Sequence, residues 1–268
     1  MVPNPIRKRW QSGQPALGTF IFSTDPANVE IAGRAGLDFA VIDLEHAPLG
    51  ITEATQHIRA ATGAGVGALV RIAEYDHGLI GKLLDAGAHG IMLAHFGKDA
   101  AAARAFGGAF RYAPDGDRPS CTGVRAASYG LGDYADYVAH ANADLIAIGL
   151  VEDAAVVPAL DALLKEVRVD ALMPGPGDLS TSLGHYGQPT HPRVRGAISE
   201  VIAAARRAGV RVGMYLNSPA EIKDWVALDL DFYVYLFDTK LLAQVYASAV
   251  KEIRASLPTG DPGARPSR

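Results

Sequence analysis

The chain has 268 residues, 49% of them apolar and 20% charged, with a formal charge of −4 and a pI near 6.0. That length suits one large α/β barrel or two ordinary domains, and the apolar half can build a sizeable core. The acidic balance argues against nucleic-acid or polybasic membrane partners, no apolar run approaches the roughly 18 residues of a bilayer span, and a lone Cys121 excludes a disulfide framework or thiolate cluster.

The first fifteen residues, MVPNPIRKRWQSGQP, carry positive charge with no apolar h-region behind it. They read as an N-terminal extension rather than a secretory signal, and the expected location is cytoplasmic. From residue 16 onward short apolar runs recur: GTFIF (18–22), DFAVID (38–43), GALVRI (67–72), GIMLAH (90–95), DLIAIGLV (144–151), DALMPG (170–175), VRVGMYL (210–216) and DFYVYLF (231–237). Nearly unbroken apolar character is the mark of parallel strands covered on both faces. Ala-rich helical stretches such as PANVEIAGRAG, TEATQHIRAAT and VRGAISEVIAAARRAG lie between most of them. Ser218-Pro219-Ala220-Glu221 has the composition of an N-cap with a capping box, and Gly87 and Gly209 follow helical stretches as C-caps.

Eight strand–helix alternations predict a single (β/α)8 TIM barrel over residues 16–256. A doubly wound open sheet would call for a glycine-rich phosphate turn after an early strand, whereas the first turn here reads STDPANVE. The end of the chain, 257–268, is rich in Pro and Gly without apolar periodicity and is expected to be a disordered tail.

Chemistry in such a barrel sits at the C-terminal ends of the strands. Read in order, those ends carry Asp43, Glu45 and His46; Arg71; His95; Glu152 and Asp153; Asp178 within PGPGDLS; and Asp238. The plainer reading of Asp153, Asp238 and Ser218 is helix N-caps, and of His57 and His89 structural or solvated histidines. Glu152 is a poor N-cap after an apolar run. It stands one βα unit from Asp178, so the two carboxylates can point into the mouth side by side. They would repel unless a cation lay between them, and two oxygen ligands suit a hard divalent ion such as Mg²⁺ or Mn²⁺. Gly175-Pro176-Gly177 should leave backbone N–H groups free to take a carboxylate, with Arg71 as a second, permanently charged donor. These parts suit a 2-oxo acid chelated through its ketone and carboxylate.

The segments DFAVIDLEHAP, LVRI, LLDAGAHGIML, RYAPDGDR, VRAASYG, VED, GPGDLSTSLG with HPRV behind it, and SPAEI, in this order and spacing, resemble the HpcH/HpaI aldolase family of metal-dependent pyruvate aldolases. The resemblance implies a (β/α)8 barrel assembled as a homo-oligomer, commonly a hexamer. It implies Glu152 and Asp178 as metal ligands and Arg71 as the donor to the pyruvyl oxygen. The turn at Gly177 and Asp178 would bind the carboxylate. His46, oriented by Asp43, would move the proton of the substrate 4-hydroxyl, and Asp85 would reach a neighbouring subunit's site. Departures mark the specificity region: Leu150 replaces a Gln two residues before the metal Glu, Ala94-His95-Phe96 replaces a Pro-containing tip, and Tyr235-Leu236-Phe237 replaces small residues. Met173-Pro174 stands where an aliphatic pair is common, and Arg118-Pro119 replaces the usual Arg-Gly. His95 and Leu150 thus join the substrate-binding candidates of a bulkier, more apolar pocket.

The expected function is a divalent-metal-dependent aldolase that cleaves or forms a 4-hydroxy-2-oxo acid, with pyruvate or a similar 2-oxo acid and an aldehyde as small-molecule partners. Oxaloacetate decarboxylation, or enolate chemistry of a macrophomate-synthase-like kind, is the alternative that does not need His46. A non-catalytic 2-oxo-acid-binding barrel is the third.

Overall fold

All eight apolar runs become strands of one closed parallel barrel in chain order, each end within two residues of its expected position. The strands are β1 (Ala16–Ile21), β2 (Phe39–Asp43), β3 (Gly67–Ile72), β4 (Gly90–Leu93), β5 (Ile146–Val151), β6 (Ala171–Pro174), β7 (Arg211–Leu216) and β8 (Phe232–Phe237). The computed structural model describes residues 3–257, so most of the expected tail lies outside the described residues. Helices α1 (Pro5–Gln11), α2 (Ala27–Arg34), α3 (Ile51–Ala64), α4 (His77–Asp85), α5 (Ala100–Phe106), α6 (Tyr134–Asp144), α7 (Leu160–Leu163), α8 (Pro176–Ser182), α9 (Pro192–Arg207), α10 (Ile222–Trp225) and α11 (Asp238–Ser256) surround it. The result is a single-domain (β/α)8 barrel.

Two apolar layers explain the unbroken runs. Inside the barrel sit Phe39, Val41, Leu69, Met92, Ile148, Phe232 and Val234. Their chain neighbours Ala40, Ile42, Val70, Ile91, Ala147 and Tyr233 face outward under the helices. Alternation is present, but both faces are dry, so sequence shows no polar phase. Gly18 and Gly213 admit the two interior rings: a Cβ at either would overlap Phe39 or Phe232.

The first residues are more than a leader to the barrel. Helix α1 inserts Ile6 and Trp10 into the interior cluster, at the end where strands begin. It is fastened there by Arg7, which donates to the carbonyls of Asp144 and Leu145 and to the Asp170 carboxylate at 2.7–2.8 Å, and by the Trp10 indole N–H to the carbonyl of Asp231 at 2.8 Å.

Gly87 and Gly209 take positive φ just past α4 and α9, as expected of C-caps. The Ser218 box does not form. Ser218 precedes only a 3₁₀ turn, its side chain caps nothing, and Glu221 accepts instead from the N–H of Asn217 at 2.8 Å. Asp238 is not an N-cap either: its carboxylate takes the N–H groups of Phe22 and Ser23, tying the end of β8 to the end of β1. His57 and His89 are buried and structural; His57 bonds the carbonyls of Glu53 and Ser23, and His89 Nδ1 accepts from the N–H of Ala68.

Candidate active site

At the strand C-terminal ends lies a cavity of about 360 Å³ lined by Phe20, Phe22, His46, Arg71, Leu150, Glu152, Met173, the Gly175–Asp178 turn, Tyr215, Asn217, Phe237 and Lys240. His46, Arg71, Leu150, Glu152, Gly177 and Asp178 therefore come together as the sequence implies.

Arg71 organises one side. Register pairs it with Asp43 on the neighbouring strand, and the fully buried Asp43 carboxylate takes two parallel bonds, from Nε and Nη2, both 2.8 Å. Nη1 lies 3.2 Å from Glu45 Oε2. Phe20 stacks beneath the guanidinium at 4.6 Å. Three carboxylates, of Asp43, Glu45 and Glu152, hold the guanidinium pKa up against burial, which acts to lower it. Of five guanidinium N–H donors, two are bonded to Asp43, and the contact to Glu45 is an ion pair without a hydrogen bond, so three remain for a ligand.

This corrects the expected role of Asp43. Its carboxylate belongs to Arg71 and touches His46 only through the backbone, accepting the His46 N–H at 3.2 Å. The carboxylate near the His46 ring is Glu45, at 3.8 Å, and the ring itself is 59% exposed at the rim.

Glu152 is 4% exposed and follows β5, two strands round the barrel from Arg71. Desolvation pushes its carboxyl pKa up to about 7; Asp178 and Glu45 push the same way, while the His95 N–H, donating to Oε2 at 3.0 Å, pulls down. Asp178 has no hydrogen bond or ion pair among the described residues. Gly175 makes room for Glu152: a Cβ there would lie 2.6 Å from its Cγ and 3.0 Å from Oε1. Beyond it, the first turn of α8 has no side-chain cap, so the N–H groups of Gly177 and Asp178 remain open to a ligand. No group of three or more metal-ligating side chains occurs among the described residues. The pair Glu152 and Asp178 would leave several positions of a hard cation to water and substrate, which is how Mg²⁺ is usually held.

Two expected residues sit elsewhere. His95, in a left-handed conformation at φ 49°, turns its ring to Asp153 at 3.0 Å and toward Glu45 at 3.8 Å, and lines a neighbouring cleft with Tyr75 and Lys98. It shapes the mouth from behind, and Asp153 is its partner rather than a helix cap. Asp85 ends α4, at the opposite end of the barrel, paired with Arg118 at 2.6 Å. In one chain it plays no part in this cavity.

Sequence reasoning marked Tyr235-Leu236-Phe237 but missed Phe20, Phe22, Tyr215 and Asn217, which complete the wall built by β7, β8 and β1. The β1–β8 register slips between Gly18 and Phe20, and Leu236 takes φ 47° at that bulge. Phe237 then stacks on Phe22, centroids 4.7 Å apart and planes 10° from parallel. Lys240, on the first turn of α11, enters the cavity beside Asn217. The bulky Tyr235-Leu236-Phe237 was the available signal.

A family model described as HpcH/HpaI aldolase/citrate lyase matches residues 16–243. The hydroxypyruvate/pyruvate aldolase of Paraburkholderia phytofirmans is 30% identical over 94% of this chain and 98% of its own. The 2-keto-3-deoxy-L-rhamnonate aldolase of Klebsiella pneumoniae subsp. pneumoniae is 33% identical over 91% of each chain. Among solved structures, an HpcH/HpaI aldolase from Desulfitobacterium hafniense superposes with a TM-score of 0.89 at 30% identity, covering 96% of this chain and 98% of its own.

Proposed function

The chain belongs to the HpcH/HpaI aldolase/citrate lyase family, and from that premise we propose that it is a divalent-metal-dependent carbon–carbon lyase acting on a 4-hydroxy-2-oxo acid. Pyruvate or a similar 2-oxo acid would be one product and an aldehyde the other. The observation that carries this reading is the pairing, in one cavity, of a buried Glu152 and an unpartnered Asp178 with the free donors of Arg71.

Glu152 and Asp178 fit a hard divalent ion, Mg²⁺ or Mn²⁺, by donor type and by the recess at Gly175. Such an ion, when bound, supplies Lewis-acid polarisation to a ketone oxygen. The residues of the chain account for the rest. The spare N–H donors of Arg71 hold the C2 oxygen as negative charge develops on it during C3–C4 cleavage. The N–H groups of Gly177 and Asp178 orient the C1 carboxylate. His46, exposed at the rim, takes the C4-hydroxyl proton directly or through water. Leu150 and Met173 keep water from the reacting carbons.

A second reading is supported by the freedom of the His46 ring from Asp43. Oxaloacetate decarboxylation needs the same donors at C2 but no base at C4.

We also infer self-association. Helix α11 buries only Asp238 and turns Leu242, Val245, Tyr246, Val250, Ile253 and Leu257 to solvent, each at least 44% exposed. A second copy is the occupant that fits so long an apolar face.

Solvent-deuterium exchange into the pyruvate methyl group tests the central claim. Exchange should require Mg²⁺ or Mn²⁺ and vanish in Glu152→Ala; no exchange with any divalent ion would sink the enolate chemistry.

A further inference from the structure

Outside the cavity, two imidazoles close the loop that joins α8 to α9. The rings of His185 and His191 lie face to face, centroids 3.5 Å apart and planes 18° from parallel. Gly184 and Gly187, at φ 76° and 67°, turn the chain back on itself so that the rings meet. Both ends of the loop hang on the pair. The N–H of His185 donates to the carbonyl of Ser180 in α8 at 2.7 Å. His191 Nδ1 accepts from the N–H of Arg193 at 3.2 Å and so caps α9.

This arrangement is built for rings without charge. The cap needs a lone pair on His191 Nδ1. A proton there replaces the acceptor by a donor and sets it against the N–H groups that open α9. His185 Nε2 is buried with no hydrogen-bond partner among the described residues, so an added N–H would find no acceptor. Loss of water around the ring, then His191 and Arg193, push the His185 pKa below its ordinary 6.5. No carboxylate forms an ion pair with either ring among the described residues. Asp178 is the titratable residue of α8 and sits in its first turn, away from the loop. Asp153 follows β5 near Ser182 and is taken by His95 and Lys98, while Asp224 of α10 is taken by Arg195. Tyr186, between the two histidines, is exposed.

We propose that His185 and His191 form an acid-released latch on the α8–α9 loop: proton uptake unstacks the rings, uncaps α9 and frees the last turn of α8. The latch stands whatever reaction the cavity performs. Its sign follows from the lowered His185 pKa. The folded ring takes up a proton less readily than the unfolded one, so the latch is closed above pH 6.5 and opens as pH falls below it.

Amide hydrogen exchange of residues 183–195, expressed as protection relative to an unstructured peptide at the same pH, tests the latch. Between about pH 7.5 and about pH 5.5 protection should fall about fivefold or more, the scale of one lost N-cap, while that of β3 and β4 holds. His191→Asn keeps a cap that takes no proton, and His185→Phe keeps a stacked ring; the double variant should show equal protection at both pH values. Glu152 titrates in the same region and moves global stability the other way, so exchange is also followed in Glu152→Gln, where the local drop should persist. Imidazole ¹⁵N signals of the intact chain give a second readout: His191 Nδ1 should carry no proton at the higher pH and gain one as protection falls. Should the double variant fail to fold, the intact chain and Glu152→Gln decide alone. Unchanged protection across the range overturns the latch. So does a drop that persists in the double variant, one that vanishes in Glu152→Gln, or a His191 Nδ1 already protonated at the higher pH.

Discussion

Arg71 and Asp43 form a two-pronged ion pair, Nε to Oδ1 and Nη2 to Oδ2, between residues that β2–β3 register sets directly opposite one another. Both are buried, so the pair acts as one unit: the carboxylate fixes the plane of the guanidinium, whose remaining donors face the cavity.

Removing one partner exposes the cost of that arrangement. Asp43→Ala leaves the buried guanidinium with Glu45 as its only ion-pair partner and no hydrogen bond, and should destabilise the protein by up to about 3–5 kcal/mol in urea titration. Arg71→Lys keeps the charge but not the fork. It should fold, and lose about 10²-fold or more in kcat/KM for cleavage, as loss of an oxyanion donor does.

Glu152 links pH to metal. With its carboxyl raised to about 7 by burial and by Asp178, the metal-free protein is partly protonated there at neutral pH. Divalent-ion affinity should therefore rise as pH increases through about 7, with proton release measurable by calorimetry in buffers of different ionisation enthalpy. Stability of the metal-free protein moves the other way. The folded carboxyl binds its proton more tightly than the unfolded one, with a reference value of 4.5, so stability should fall between pH 4.5 and about 7. A flat stability profile across that window would refute the raised pKa.

Gly175→Ala is expected to fold and yet bind metal poorly. The new methyl group would meet the Glu152 side chain, and a shifted ligand of this kind typically loses about 10–100-fold in affinity. Mn²⁺ titration followed by electron paramagnetic resonance would read the loss; unchanged affinity would mean that Glu152 does not hold the ion from this position.

His46→Ala discriminates the two reactions. Cleavage of a 4-hydroxy-2-oxo acid should fall by about 10²–10⁴-fold, while oxaloacetate decarboxylation in the same preparation should fall far less. Equal losses would assign His46 to substrate binding rather than to the C4 proton.

The exposed stripe of α11 predicts that Val245→Glu with Ile253→Glu shifts the protein toward monomer in analytical ultracentrifugation, leaving the barrel's far-UV spectrum intact. An unchanged sedimentation profile would place the contact elsewhere.

The barrel was legible because both strand faces are dry: GALVRI and DLIAIGLV state their burial in composition alone. His46, Arg71, Glu152 and Asp178 were legible as members of the mouth, since strand polarity sends them there, whereas His95 at the tip of β4 turns to a neighbouring cleft. Partners were harder to read. Asp43 is three residues from His46 in sequence and 28 from Arg71, yet parallel register joins it to Arg71. Asp153 and Asp238 have the look of helix caps, and tertiary contacts to His95 and to the end of β1 outbid that local role. Lys240 enters the cavity only because a bulge at Leu236 changes the direction of the chain before α11. No propensity in FYVYLF announces that bulge.

Helix α1, held under the barrel by Arg7 and Trp10, makes the interior a vessel with one opening. Under the proposed chemistry the aldehyde, formed nearer the rim where the His46 ring is 59% exposed, stands between solvent and the 2-oxo acid held at Arg71, 7% exposed. Departure is then compelled to follow depth, aldehyde first and 2-oxo acid second. In the synthetic direction the 2-oxo acid must load first, and a non-reacting aldehyde analogue should trap it there, giving uncompetitive inhibition against pyruvate.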